Sequence, residues 1–397
     1  MKTLKRIGLL AAAVQGLLGM AVAQAGSITP STFETTIEVG ETVSVEKTVT
    51  TDVGGASRAD IFFLTDDTGS MGGPITAVRN AASALLTSLQ GSIADVAFGV
   101  GSYDGDPREG VPLSSPPATN LTAAYSQQQA ITTNSAAAQT AINTWAASGG
   151  GDGPEANFFA LHQVATEGGL TDGLGTTDEG YSTAAATGGT GWRTGAVRVI
   201  VWFGDIVSHT TTVDQAEVID ALTANNVIVI GMNSGGANGG IDGSGQASAI
   251  TSATGGTLFN NFTSVPTDDV ASTIATLIAD ATATIDLELL AIGDTSGVDV
   301  AYTCTDALGC DDVVGGESRT FRMDVTGLAP GTFSYDTIAV GVAGAVESDL
   351  ITVTGDGTPP PPAGVPEPGT LGLLAVSLLA AGGVARRSNS KRKHPRS

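Results

Sequence analysis

The sequence from residue 60 to residue 71 reads Asp60-Ile61-Phe62-Phe63-Leu64-Thr65-Asp66-Asp67-Thr68-Gly69-Ser70-Met71. Residues 61–64 are apolar and predict a buried β-strand. Asp66, Thr68 and Ser70 then follow at alternate positions, where that strand ends. In an open α/β sheet, ligands bind at the carboxyl ends of the strands. The stretch therefore predicts both a core strand and a candidate binding site at its end.

Two interpretations of these three side chains remain open at this point. One carboxylate and two hydroxyls are hard oxygen donors, which suit Mg²⁺ or another hard divalent cation. Because only one of these three donors carries a charge, a bound cation would still attract a carboxylate from a partner. The alternative is a helix cap, because Thr and Ser are good N-cap residues and a helical pattern begins near Ile75.

Apolar strand patterns alternate with helical patterns on the C-terminal side of this stretch. Strands are predicted at 61–64, 96–101, 197–203 and 227–231. Helices are predicted at 75–89, 127–145, 157–165, 213–225 and 270–283. This alternation predicts an α/β domain over 59–283, with a doubly wound, mostly parallel sheet and helices on both faces.

Short alternating runs on both sides of that domain predict an antiparallel unit. Residues 27–57 and 284–356 both show apolar and polar positions in alternation, separated by turn residues. We therefore expect 27–57 to join 284–356 in a small β-sandwich. Cys304 and Cys310 lie in the second stretch, and a local disulfide between them is expected in an exported chain.

Both ends of the chain indicate export. Basic residues and an apolar run precede an A-x-A cleavage signal at 23–25, which predicts a signal peptide over 1–25. Near the other end, a Pro-rich linker is expected at 358–364. An apolar membrane segment follows at 371–385, with a basic tail that fits a cytoplasmic end.

The C-terminal segment 365–397 combines a short motif, the apolar run and basic residues. The residues concerned are Pro366, Glu367, Pro368, Arg386 and Arg387. This order resembles the PEP-CTERM sorting signal of Gram-negative bacteria. The resemblance implies recognition by an exosortase during export, and a membrane anchor that is transient or permanent. An ordinary C-terminal anchor is the alternative, and both interpretations place the body of the protein at the cell surface or in the extracellular matrix.

The charge distribution excludes one class of partner. The formal net charge is −23 at pH 7, and eight Lys and Arg stand against 40 Asp and Glu between the two basic ends. Such a surface attracts cations and repels nucleic acid. We therefore expect no nucleic-acid partner.

Further acidic residues bear on the metal interpretation. Asp152 and Glu155 precede the predicted helix 157–165, and Asp205 follows the predicted strand 197–203. Acidic groups at neighbouring strand ends repel each other unless a cation lies among them. Together with Asp66, they favour a metal site over a helix cap.

The α/β domain resembles a von Willebrand factor A domain, specifically the I-like domain of integrin β subunits. The Asp-x-Thr-x-Ser-Met of 66–71 matches the metal-ion-dependent adhesion site of that family, and the Asp-x-Pro-Glu of 152–155 matches the loop that supplies its acidic ligand. The resemblance implies that Thr68, Ser70 and Glu155 contact a cation directly. Asp66 and Asp205 would act through water or hydrogen bonds. The implied cation is Mg²⁺, with Mn²⁺ or Ca²⁺ as alternatives.

One departure from the family pattern limits the expected metals. Gly72 and Gly73 stand where integrin β subunits carry the paired acidic residues of an adjacent, inhibitory metal site, so that site is not expected here. Asp152 remains a candidate ligand for a second Ca²⁺.

The resemblance implies adhesion that depends on a divalent cation and is directed at an acidic group of a protein or exopolysaccharide. The alternative is a structural matrix or biofilm protein whose metal only stabilises the fold. The sequence shows no convincing catalytic constellation, so we expect no enzymatic activity.

Overall fold

A computed structural model of the protein describes residues 26–105, 125–149, 153–167, 189–210, 213–236 and 239–355. The predicted signal peptide, the Pro-rich linker and the sorting signal lie outside these ranges. Six individual residues named above also lie outside these ranges: Asp152, Pro366, Glu367, Pro368, Arg386 and Arg387. Within these ranges, no helix has the length and apolar character needed to span a membrane.

A six-stranded sheet forms the centre of the α/β domain. Numbered along the chain, its strands are β4 (Arg58–Asp66), β5 (Asp95–Tyr103), β6 (Ser126–Thr132), β7 (Val197–Gly204), β8 (Val227–Asn233) and β9 (Thr257–Asn260). Their order in the sheet is β6-β5-β4-β7-β8-β9. All neighbouring pairs are parallel except β5 and β6. The strand with the apolar run predicted from the sequence, β4, is thus central.

Helices cover both faces of this sheet. They are α1 (Gly72–Ser92), α2 (Ser135–Ile142), α3 (Asn157–Ala165), α4 (Gln215–Ala224), α5 (Gln246–Ala253) and α6 (Val270–Ala281). Ile61 and Phe63 of β4 pack with α1, α2 and α6, whereas Phe62 and Leu64 pack with α3, α4 and α5. Side chains of a strand alternate between faces, so a continuous apolar run supplies both cores. The predicted α/β class, with its doubly wound and mostly parallel sheet, is confirmed.

The predicted helix 127–145 is wrong in its first part. Residues 126–132 form β6, which pairs antiparallel with the outer edge of β5. Gln and Ala favour helices in isolation, but the edge of β5 offers backbone groups that need partners. The helix begins only after Asn134, whose side chain accepts a hydrogen bond from the backbone N–H of Ala137 at 3.2 Å.

Two short elements follow β8 that the sequence patterns did not predict. They are α5 and β9, and β9 pairs with β8 at the edge of the sheet. The remaining helical turns are of the 3-10 type, at Gly69–Met71, Gly240–Gly245, Phe262–Ser264 and Thr267–Asp269.

The other strands form two four-stranded sheets and one short pair. They are β1 (Ser27–Thr29), β2 (Thr32–Glu38), β3 (Thr42–Thr50), β10 (Thr284–Ile285), β11 (Leu289–Gly293), β12 (Val298–Cys304), β13 (Val313–Val314), β14 (Ser318–Gly327), β15 (Gly331–Ala339) and β16 (Val346–Thr354). The sheet orders are β1-β3-β14-β12 and β11-β15-β16-β2, and β10 pairs with β13. A disulfide joins Cys304 and Cys310.

Strands from before the α/β domain pair directly with strands from after it. β3 runs antiparallel to β14, and β2 runs parallel to β16. Apolar side chains from both sheets, including Ile37, Met323 and Ile351, share one core between them. The α/β domain is therefore inserted between two parts of a single β-sandwich.

Candidate metal centre

The carboxyl ends of β4 and β7 meet at one edge of the large sheet. Thr65 pairs with Phe203, so the residues that follow these two lie side by side. Asp66 therefore stands level with Gly204, and Asp205 comes directly after it. Burial is the main cause that raises the pKa of Asp66, and the charge of the nearby Asp205 raises it further.

Asp66 is a buried carboxylate that lacks a full set of hydrogen-bond donors. Its Oδ1 accepts a hydrogen bond of 2.8 Å from the backbone N–H of Thr68. Its Oδ2 is shielded from solvent and has no hydrogen-bond partner. Burial raises the pKa of Asp66 to about 7, an effect that hydrogen bonds from Thr68 oppose. A charged oxygen in this position costs free energy that a cation would offset.

The hydroxyls of Thr68 and Ser70 are not used as helix caps. Thr68 precedes the 3-10 turn Gly69–Met71 and Met71 precedes α1, and neither start carries a side-chain capping hydrogen bond. The helix-cap interpretation is therefore wrong for this stretch. The two hydroxyl oxygens lie 3.4 Å apart, so both can face a common ligand.

Glu155 reaches this edge through a loop that docks against the segment after β7. Its backbone N–H donates to the carbonyl of Val207 at 3.1 Å, and its carbonyl accepts from the N–H of His209 at 2.9 Å. Ser208 forms an isolated parallel bridge with Glu155. These contacts hold the buried Glu155 beside the end of β7.

The buried Tyr103 is close enough to Asp66, Glu155 and Asp205 for their charges to act on it. Burial raises its pKa, and the charges of Asp66, Glu155 and Asp205 raise it further. The charges of these three predicted site residues thus all act on one buried group, and Asp66 also accepts a hydrogen bond from Thr68. Of the predicted set, only Asp152 lies outside the described residues.

Reasoning from the sequence did not predict a buried hydrogen-bond network next to the site, formed by Tyr103, Trp202 and Asn157. The Tyr103 hydroxyl donates to the carbonyl of Phe203 at 2.9 Å, and Trp202 Nε1 donates to the same hydroxyl at 2.9 Å and to Asn157 Oδ1 at 3.2 Å. Gly204 leaves room for this network, because a Cβ there would lie 2.5 Å from the Tyr103 hydroxyl oxygen. A tyrosine at the end of a strand flanked by acidic strand ends is the signal that could have pointed to it.

The donor set at this edge fits a hard cation. Within the described part of the chain, no group of three or more His, Cys, Asp or Glu side chains is placed to hold a metal ion. A cation here would therefore depend on the Thr68 and Ser70 hydroxyls together with carboxylates. Oxygen ligands of this kind suit Mg²⁺, Mn²⁺ or Ca²⁺, whereas zinc sites in proteins favour His and Cys. Oδ2 of Asp66 is buried without a hydrogen-bond partner, as expected for an oxygen that faces a cation.

Comparison with known proteins gives similarity at the level of structure only. No protein-family model and no curated protein matches the sequence. A von Willebrand factor type A protein from Catenulispora acidiphila aligns with a TM-score of 0.38 and 16% identity, over 85% of this chain and 76% of that one. The ArnB paralog VWA2 from Sulfolobus acidocaldarius aligns with a TM-score of 0.33 and 13% identity, over 83% and 76%.

A third similar structure is the pilus adhesin SpaC from Lactobacillus rhamnosus GG in its open conformation. It aligns with a TM-score of 0.33 and 11% identity, over 79% of this chain and 45% of the adhesin. These low values describe a partial likeness of fold and do not say what this chain binds.

Proposed function

We propose that the chain is an exported bacterial surface or matrix protein whose α/β domain binds a divalent cation and, through it, an acidic group on a protein or exopolysaccharide. Mg²⁺ is the first candidate, with Mn²⁺ or Ca²⁺ as alternatives. The proposed ligands and supporting carboxylates are Asp66, Thr68, Ser70, Glu155 and Asp205. The observation that carries the proposal is the buried Oδ2 of Asp66, which has no hydrogen-bond partner, beside two hydroxyls that cap no helix.

The bound cation would supply a Lewis-acidic centre that attracts an anionic oxygen from the ligand. Ser70 is exposed, whereas Asp66 and Glu155 are buried, so the open side of the site lies toward Ser70. The chain carries a formal net charge of −23, and an acidic ligand would be repelled without a cation between the two. Binding is therefore expected to depend strictly on the metal.

Export and anchoring belong to the same proposal and rest on the sequence of the two ends. The signal peptide would direct passage through the inner membrane of a Gram-negative cell. The segment 365–397 would hold the chain in the membrane until an exosortase processes it. Asp152 would help to bind a second Ca²⁺. The proposed action is binding, without catalysis.

A capture experiment tests the proposed function. The full-length protein is immobilised and exposed to exopolysaccharide and surface protein from the producing cells, in Mg²⁺ and then in EDTA. Ser70→Ala is expected to reduce the Mg²⁺-dependent capture by about tenfold, equivalent to about 1.4 kcal/mol, because it removes a proposed direct ligand of the cation. Retained material is quantified by mass spectrometry and sugar analysis.

The matched control is Ser83→Ala, which removes a hydroxyl from an exposed position of α1. It should bind as the unmodified chain does. Capture that Ser70→Ala and EDTA leave unchanged would contradict the proposal.

A structural role is the second candidate function. A cation beside the buried Asp66 would stabilise the fold whether or not a ligand is present, since burial raises the pKa of this carboxyl. In that case Mg²⁺ would raise the melting temperature, but capture would persist after chelation. The two measurements together separate the candidates.

A further inference from the structure

Three charged side chains lie together between the two sheets of the β-sandwich, whereas the candidate metal centre belongs to the α/β domain. Lys47 comes from β3, and Glu347 and Asp349 come from β16. All three side chains are fully shielded from solvent. The Nζ atom of Lys47 contacts Oε1 of Glu347 and lies 3.8 Å from Oδ1 of Asp349.

These residues occupy positions at which a sandwich normally places apolar side chains. Alternate residues of β16 face the core, and after Glu347 and Asp349 the next two on that face are Ile351 and Val353. The Lys47 ammonium also lies 4.9 Å from the centre of the Phe33 ring. A lysine and two acids at such positions carry a large desolvation cost, and their presence indicates a specific use.

The buried cluster formed by Lys47, Glu347 and Asp349 contains carboxylate oxygens that accept no hydrogen bond. Oδ2 of Asp349 accepts a 2.6 Å hydrogen bond from the Thr337 hydroxyl, which in turn lies 2.7 Å from the hydroxyl of Tyr302. Oε2 of Glu347 and Oδ1 of Asp349 have no hydrogen-bond partner. A buried ion pair is stabilising only when its remaining lone pairs find donors, so an ordinary salt bridge does not account for this arrangement.

The charges in the cluster do not balance when all three groups are ionised. One ammonium faces two carboxylates, and burial raises the pKa of Glu347 and of Asp349. A proton shared among them would leave a neutral carboxyl beside the lysine. Amide formation needs a neutral amine and a neutral carboxyl, and transfer of a proton from the Lys47 ammonium to the Glu347 carboxylate would supply both. Tyr302 and Tyr335 lie close to the cluster, have raised pKa values and stay protonated. After burial, the charge of Asp336 is a further cause that raises the pKa of Asp349.

We propose that Lys47 and Glu347 condense to form an intramolecular amide bond, with Asp349 as the proton acceptor. The Nζ of Lys47 attacks the side-chain carboxyl carbon of Glu347, and Asp349 takes a proton from the nitrogen. The C–O bond to the departing hydroxyl then breaks as Asp349 returns the proton to it. One ammonium and one carboxylate thus become one amide and one water, without any oxidant, reductant or other reactant.

The surroundings favour the amide over its hydrolysis. All three side chains are shielded from solvent, with the Phe33 ring near the Lys47 ammonium and Met323 near the Thr337 hydroxyl. This shielding excludes water from the bond once it has formed. The Thr337 hydroxyl continues to donate to Asp349 after the reaction, so the remaining carboxyl keeps its partner.

The position of the bond suggests its purpose. Lys47 and Glu347 are separated by 300 positions in the sequence, and the whole α/β domain lies between them. The amide would join the two sheets and tie the strand before the inserted domain to the strand after it. A pulling force on the sandwich would then meet a covalent bond instead of strand hydrogen bonds alone. This inference does not depend on the metal centre.

Mass spectrometry of the full-length protein tests the proposal directly. After reduction of the disulfide, the intact mass is expected to fall short of the sequence mass, corrected for removal of any signal peptide, by one water. A proteolytic digest should contain a branched peptide linking Lys47 to Glu347. Lys47→Arg and Asp349→Asn should each show the full mass.

Asp349→Asn also guards against a folding artefact, because it preserves the shape of the side chain while removing the proton acceptor. Its secondary structure is checked by circular dichroism, and a folded variant without the link supports the assigned role. An unmodified Lys47 in the folded, unsubstituted protein would overturn the proposal. A branched peptide at Asp349 in place of Glu347 would overturn the assignment of the two acids.

Discussion

Asp66→Asn is expected to make the metal-free protein more stable at pH 8 and to abolish its response to Mg²⁺. Burial raises the pKa of Asp66 from an ordinary value of 3.8 to about 7. Between these values the folded state binds more protons than the unfolded state, so the stability of the metal-free protein falls as the pH rises through this interval. Over this interval the free energy of unfolding falls by an amount on the order of 4 kcal/mol. Asparagine carries no charge, so the Asp66→Asn variant does not lose this stability as the pH rises.

The same substitution removes the charge that attracts the cation. Mg²⁺ well above its dissociation constant is expected to raise the melting temperature of the unsubstituted protein by about 5 °C at pH 8. Asp66→Asn should show no such rise, although its Oδ1 can still accept the hydrogen bond from Thr68. Calorimetry at pH 5 and pH 8, in EDTA and in Mg²⁺, measures both effects.

Asp67 provides the matched control. Burial also raises its pKa to about 7, but it is not among the predicted metal ligands. Asp67→Asn should therefore stabilise the metal-free protein at pH 8 while retaining the Mg²⁺ response. If Mg²⁺ raised the melting temperature of Asp66→Asn as much as that of Asp67→Asn, the metal centre would lie elsewhere.

Arg193→Ala is expected to lower the free energy of unfolding by about 3–5 kcal/mol, because it leaves a buried carboxylate without its cation. The Asp60 side chain is fully shielded and receives hydrogen bonds of 2.6 Å from both Nε and the backbone N–H of Arg193. Arg193 also contacts Asp95 and donates to the Ala59 carbonyl at 3.1 Å. These contacts tie the starts of β4 and β5 to the chain before β7.

The destabilisation by Arg193→Ala should grow with pH. Burial already raises the pKa of Asp60 although Arg193 opposes this, and without the arginine the folded state would hold its proton to a higher pH. The variant therefore loses more stability at pH 8 than at pH 4. Urea unfolding at the two values measures the difference.

Two further variants distinguish the buried charge from a general packing defect. Adding Asp60→Asn to Arg193→Ala should recover part of the loss, since the amide oxygen still accepts from the backbone N–H. Arg322→Ala breaks the exposed pair in which Nε lies 2.9 Å from Asp324, and should cost less than about 1 kcal/mol. Equal losses in Arg193→Ala and Arg322→Ala would refute this account.

Much of the α/β domain could be predicted because its signals are local. The apolar run 61–64 is long enough to fill both faces of a central strand, and the spacing of apolar residues in 75–89 identifies the helix that follows. Asp66, Thr68 and Ser70 are close neighbours in the chain, so their joint position at a strand end could be inferred before any pairing was known. Glu155 and Asp205 could be proposed only as ends of separate elements.

The edge strand β6 shows where local signals fail. Its residues are all half-buried and show no alternation of buried and exposed positions. Their conformation depends on the free edge of β5, which the sequence of 126–132 does not contain. The extent of α2 was misjudged for the same reason.

By itself the sequence determined the fold class, the candidate metal ligands and the two β segments that flank the inserted domain, since each follows from patterns within single elements and from the order of those elements. Only the tertiary structure decided that Thr68 and Ser70 cap no helix and that the charges of Asp66, Glu155 and Asp205 all act on the buried Tyr103. It alone paired Arg193 with Asp60 and Lys47 with Glu347, across 133 and 300 positions. Such pairs form where whole sheets and loops pack together, so no pattern within either partner's own segment specifies them.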